Sequence, residues 1–149
     1  MAAKDKVRAL TKVVEVRQTQ RQAAEATLAR AIAARRDLAE LAERQGDLLR
    51  GHQQSWTQII LGRALDLPIA QSWSAAIDRA ASELSQTTGR LAQAEQDGEQ
   101  ATAALIAARA RCETAQSLAR SLRRAVLHKS EEAALADSLD QWSHRRWPS

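Results

Sequence analysis

The chain has 149 residues, with 22 Lys and Arg against 18 Asp and Glu, a formal net charge of +4. Its apolar residues are mainly 32 alanines and 17 leucines, with only 11 valines and isoleucines, four tryptophans and no Phe or Tyr. Ala, Leu, Arg, Glu and Gln are strong helix formers, whereas strands draw on β-branched and aromatic residues, so the composition excludes a sheet-rich enzyme and argues for a few long helices.

The first element is a helix over about 4–62. Its opening mixes Lys4, Asp5, Lys6 and Arg8 with no apolar run, which does not read as a signal peptide. No proline interrupts Lys4 to Leu61, and Gly46 and Gly51 are the glycines within it. Apolar residues recur at Val7, Leu10, Val14, Ala24, Leu28, Leu38, Leu41, Leu48, Leu49, Trp56 and Ile59. Arg17, Arg21 and Arg35 interrupt a strict heptad, so the seam is expected to drift or skip here.

Breakers then cluster. Gly62 reads as a helix C-cap, and Asp66 as the N-cap of a second helix with Pro68 in its first turn. The hinge is 63–66, and a link so short makes the helices antiparallel neighbours.

The second helix is expected over about 67–145. Its sevenfold series Leu84, Leu91, Gly98, Leu105, Cys112, Ala119, Val126 is apolar or small throughout. The companion series is Ala80, Thr87, Ala94, Ala101, Ala108, Ala115, Leu122. Together they form an a/d seam in which alanine lets two helices close up. The fold class is therefore all-α: one long antiparallel two-helix coiled-coil hairpin over 1–149, about 85–90 Å long at 1.5 Å per residue. Folding near Leu65 pairs residues whose numbers sum to about 130. Val7 then lies near Arg123, Trp56 lies near Trp73, and the stretch beyond Leu127, with Trp142 and Trp147, overhangs its partner.

Charge is uneven along this layout. The open end gathers eleven cations: Lys4, Lys6, Arg8, Lys12 and Arg17 from one arm, and Arg109, Arg111, Arg120, Arg123, Arg124 and Lys129 from the other. Asp5, Glu15 and Glu113 alone oppose them there. Such a base suits an acidic protein surface, a polyanion or anionic lipid, or is simply a solvated face.

Motifs for chemistry are missing. There is no GxGxxG or P-loop, and His52, His128 and His144 follow no metal-binding spacing, so no metal, cofactor or catalytic residue is assigned. Cys112, the single cysteine, falls in the seam and reads as a small buried residue. A two-helix rod has no cleft to desolvate a pair such as Glu131 and Glu132, so the chain is not expected to be an enzyme. The cations are interleaved with alanine and lack stacking aromatics, which argues against nucleic acid. No apolar stretch reaches the roughly 18 residues of a spanning helix, and the apolar faces are taken by the partner helix, so no membrane insertion is expected. Trp56, Ile59, Ile60 and Leu61 before the hinge, with Leu65, Leu67, Ile69, Trp73 and Ile77 after it, are more than two helices can bury. They form a small core at the turn or a docking surface.

Three stretches carry a resemblance: Leu10-Thr-Lys-Val-Val-Glu-Val-Arg17 with Gln22-Ala-Ala-Glu25 and Ala29-Arg-Ala31; Trp56-Thr-Gln-Ile-Ile-Leu-Gly62 with Leu65-Asp-Leu-Pro-Ile69 and Trp73; and Leu135-Ala-Asp-Ser-Leu-Asp-Gln141. With the length and hinge placement, the chain resembles the FliJ/YscO family of flagellar export and type III secretion stalk proteins. The resemblance implies a cytoplasmic coiled coil at the inner-membrane export apparatus, similar to the central stalk of rotary ATPases. It implies that the open end enters a hexameric export ATPase, through Lys4, Lys6, Arg8, Lys12, Arg120, Arg123 and Arg124. It also implies contact with the cytoplasmic domain of the export-gate membrane protein, and for some members with export chaperones. The family's gate-contacting positions fall on Asp37, Leu41, Arg44 and Leu48 and on Trp73, Ile77, Ala80 and Leu84. Arg44 stands where the family has an aromatic and Asp37 where it has an amide, while Ile77, Ala80 and Leu84 also fit plain seam packing. The expected function is thus coupling ATPase to gate; a general coiled-coil scaffold or adaptor without an ATPase partner is the alternative.

Overall fold

A computed structural model describes residues 2–62, 64 and 66–146. Two helices, α1 (Ala2–Leu61) and α2 (Leu67–Arg146), pack against each other as an all-α helical hairpin, with no strand among the described residues. The hinge residues Arg63 and Leu65, and Trp147 and Pro148 at the far end, lie outside the described residues.

The hinge is built by local hydrogen bonds. The Gly62 N–H donates to the Ile59 carbonyl at 3.3 Å, closing the last turn of α1 over three residues. No glycine among the described residues has positive φ, so Gly62 ends the helix without the left-handed cap that glycine often supplies. Asp66 begins α2 as expected. Its carboxylate accepts from the Ile69 N–H at 3.3 Å, and its carbonyl takes the first helical bond from Ala70 N–H at 2.9 Å.

The chain divides into two compact units. The first joins Met1–Glu25 with Ala104–Ser149, and the second is Ala26–Ala103. In both, the α2 side of the seam follows the heptad. Ala80, Thr87, Ala94, Ala101, Leu105, Ala108, Cys112, Ala115 and Ala119 are buried, and Leu84, Leu91, Gly98, Leu122 and Val126 are half-buried at the remaining heptad positions. The buried list is nearly all alanine, so the seam is thin. Close approach substitutes for large side chains.

The α1 side departs from expectation. The seam neither drifts nor skips at Arg17 and Arg21: both are half-buried, as are Val7, Leu10, Val14, Ala24, Leu28, Ala31, Leu38, Ala42, Gln45, Leu49, His52, Trp56 and Ile59. This is one unbroken alternation of three and four residues, apart from Arg35, which is exposed. Long polar side chains can hold seam places because their stems are aliphatic, although the Arg21 Nε and the Gln45 Oε1 are themselves shielded from solvent. Leu48, expected on the apolar face, is instead 52% exposed.

Two cross-helix contacts fix the register in the first unit. Arg123 meets Thr11, and Arg109 meets Glu25; the residue numbers of each pair sum to 134, four beyond the expected value. In the second unit the ring of Trp73 lies against His52, centroids 5.3 Å apart and tilted by 59°. That is one turn before Trp56, and it makes His52 a half-buried packing residue.

Candidate functional site

The basic base belongs to the first unit. Lys4, Lys6, Arg8 and Lys12 project from α1, and Arg120, Arg123 and Arg124 from α2; all seven are exposed. Helix sterics place them there: the a/d positions of this stretch are Val7, Leu10 and Val14 on α1 with Ala119, Leu122 and Val126 on α2, so charges between them must point outward. None of the ion pairs found in this unit engages these seven side chains. Among the described residues of this unit, the ion pairs are Arg21–Glu25 at 3.7 Å, Arg109–Glu25 at 3.8 Å and His128–Glu132 at 3.4 Å.

Between these cations the base is apolar. On one edge of the helix pair, Lys6, Leu10, Val13, Leu118, Ser121 and Leu122 border an open groove of about 560 Å³. On the other edge, Val7, Val126 and Leu127 with Lys4, Arg8 and Arg123 border a groove of about 460 Å³. Two alanine-lined helices cannot cover their own flanking leucines, so Val13, Leu118 and Leu127 stay more than two-fifths exposed. The combination of apolar floor and cationic rim suits an amphipathic acidic helix.

The gate-binding candidates belong to the second unit. Arg44 and Leu48 are exposed on α1, and Leu41 is half-buried beside them. On α2, Trp73, Ile77 and Leu84 are half-buried and Ala80 is buried, all in the seam ladder. The accessible part of this set is therefore the edge of α1, with the outer rims of Trp73, Ile77 and Leu84. Around the hinge the apolar surplus divides. Ala70 is buried and Trp56, Ile59, Trp73 and Ile77 are half-buried, while Ile60, Leu61, Leu67 and Ile69 are exposed. Leu65 lies outside the described residues.

The stretch expected to overhang its partner beyond Leu127 carries an apolar face that heptad reasoning did not identify. From Leu127 to Arg146 every residue of α2 is exposed, and Leu135, Leu139 and Trp142 line one face of that stretch. Trp142 is capped by the Arg146 guanidinium, 4.7 Å from the ring centroid. The signal was present in the i, i+4, i+7 spacing of these three residues.

Among the described residues no group of three or more His, Cys, Asp or Glu gathers, and no helix is long and apolar enough to cross a membrane. Comparison with protein-family profiles, curated proteins and solved structures finds no match to this chain.

Proposed function

We propose that this hairpin is a non-enzymatic stalk of a type III export apparatus, flagellar or injectisome, that couples the export ATPase to the export gate. The observation that carries the reading is the base of the first unit, where Lys4, Lys6, Arg8 and Arg123 border two apolar grooves and Lys12, Arg120 and Arg124 are exposed nearby on the same two helices. A stalk end that must turn or seat within a ring benefits from diffuse charge, which holds it loosely in many orientations, and from shallow apolar surface, which limits how far it slips. The resemblance to the FliJ/YscO family names the ring as a hexameric export ATPase. By the same resemblance the second unit, through Leu41, Arg44, Leu48, Trp73, Ile77 and Leu84, meets the cytoplasmic domain of the gate protein, and export chaperones are further partners. The place of action is then the cytoplasmic face of the export apparatus.

The test is ATP hydrolysis by the cognate export ATPase with and without this chain, at about 150 mM salt so that non-specific charge attraction is screened. Wild type should stimulate hydrolysis or stabilise the hexamer. A variant with Arg120, Arg123 and Arg124 all changed to Glu should do neither, while keeping its helicity because all three side chains are exposed. No effect of the folded wild type would replace the stalk with the scaffold or adaptor reading.

A further inference from the structure

The exposed apolar stripe of α2 does not continue the hairpin seam. Extending the seam ladder beyond Val126 lands on Lys129, Ala133, Ala136, Asp140 and Ser143, which carry no large apolar side chain. Leu135, Leu139 and Trp142 occupy another ladder, formed by Leu118, Ser121, Ala125, His128, Glu132, Leu135, Leu139 and Trp142. Its steps alternate three and four residues, the spacing of a second coiled-coil face. Every member is exposed, with Leu118 at 56%, Leu135 at 64%, Leu139 at 58% and Trp142 at 57%. Leu118 and Ser121 also border the larger apolar groove, together with Leu10 and Val13 of α1. Groove and stripe therefore lie on one continuous edge.

That edge is self-complementary. Residues 130–142 carry Glu131, Glu132, Asp137 and Asp140 and no cation, while 117–127 carry Arg120, Arg123 and Arg124 and no carboxylate. We propose that the edge is the contact between two copies of this chain, with the α2 helices antiparallel about a two-fold axis near Ser130. Leu118 of one copy then faces Trp142 of the other, Ser121 faces Leu139, Ala125 faces Leu135 and His128 faces Glu132. The alternating steps read the same in both directions, as an isologous interface requires. The indole enters the groove beside Val13 and Leu118, and the acidic segment of one copy runs along the basic segment of the other. Arg120 and Arg123 come level with Asp140 and Asp137. A parallel pairing would instead set like charges side by side.

The segment cannot fill the groove of its own chain. α2 is continuous through Arg146, and neither glycine nor proline lies between Gly98 and Pro148 to let it fold back. The occupant is thus a second molecule, and the charge order along the ladder selects a second copy. The inference stands apart from the stalk reading. Paired copies would cover part of the base assigned to the ATPase, so pairing and ring entry would exclude each other.

The test needs no ATPase. Sedimentation or light scattering on the full chain at tens of micromolar should give twice the 16.4 kDa chain mass. Leu139→Glu should weaken pairing roughly 30-fold or more, as removal of an apolar interface anchor does, with helicity unchanged by circular dichroism. Trp142→Ser serves as an independent second variant. In a Cys112→Ala background, Ser121→Cys combined with Leu139→Cys should give a covalent dimer on mild oxidation. A chain that stays monomeric to about 100 µM, in the range where weak complexes form, overturns the inference and leaves the stripe to another protein. So does a dimer indifferent to Leu139→Glu, or one that fails to cross-link.

Discussion

Arg123 donates a guanidinium hydrogen bond of 3.1 Å to the Thr11 hydroxyl across the hairpin, between residues 112 positions apart. The same hydroxyl donates to the Val7 carbonyl at 2.9 Å, so the acceptor is already held against its own helix. This contact states the register of the basic base in one bond. Water competes for it, however, because Arg123 is exposed. Arg123→Ala and Thr11→Val should each cost about 0.5 kcal/mol, and a double-mutant cycle in urea should return a coupling of about 0.5–1 kcal/mol. A coupling of zero would mean the bond does not persist in solution.

Among the described residues Cys112 is the most deeply buried side chain, at 1% exposure, with Ala108 and Ala115 one turn away on the same seam. Its thiol should react with a disulfide reagent only when the base opens, so labelling should accelerate with urea in step with loss of helicity. Cys112→Ala should cost about 1 kcal/mol, the loss of one small apolar group. Cys112→Leu should cost about 1–3 kcal/mol by forcing the helices apart, and Leu105→Ala about 2–4 kcal/mol. Thermal melts of the three variants rank the sites. If Cys112→Leu were the most stable variant, the seam would be looser than its burial implies.

The α2 half of the seam was legible because small residues at heptad spacing have no other explanation in a long helix. Asp66 and Pro68 gave the start of α2, since a carboxylate N-cap and an early proline are local signals that packing does not override. The α1 half is not legible at Arg17 and Arg21, where a charged residue at a heptad position reads as a drift or skip of the seam but is half-buried within it. Periodicity identifies seam positions but not how a long stem lies across an alanine surface. The pairing of His52 with Trp73 also escaped, because ring contacts near a hinge depend on rotamers that residue spacing leaves open. In the candidate site, the cations were readable from counts along the two arms. The grooves beside them were not, since they arise from how little two alanine-rich helices cover each other.

Arg21 and Gln45 put polar atoms inside this seam. The Arg21 Nε and the Gln45 Oε1 are each shielded from solvent without a hydrogen-bond partner, although Arg21 also lies 3.7 Å from a Glu25 oxygen. Such groups cost stability and restrict the alignments the helices can take, because every slipped register would bury them against different neighbours. Arg21→Leu and Gln45→Leu should therefore each raise stability by about 0.5–2 kcal/mol in urea titrations. The double variant should also broaden the register, read as several spin-label distances between the arms where wild type gives one. A double variant with raised stability and a single distance would show that alanine packing alone fixes the alignment.

Gly51 and Gly89 sit inside α1 and α2 with helical backbone, both exposed. A Cβ added at either would meet nothing within 4 Å. Their cost is then purely that of glycine in a helix, about 0.5–1 kcal/mol relative to alanine, arising from the freedom glycine has when unfolded. Gly51→Ala and Gly89→Ala should each stabilise by that amount and should add, since they share no neighbour through the new methyl. Gly62→Ala provides the contrast: its Cβ would lie 3.3 Å from the Ile59 carbonyl oxygen, so crowding at the end of α1 offsets the entropic gain. Melting temperatures should rise for the first two and stay flat or fall for the third. A fall at Gly51 would mean that this part of α1 uses glycine for close approach to another molecule, which the hairpin alone does not require.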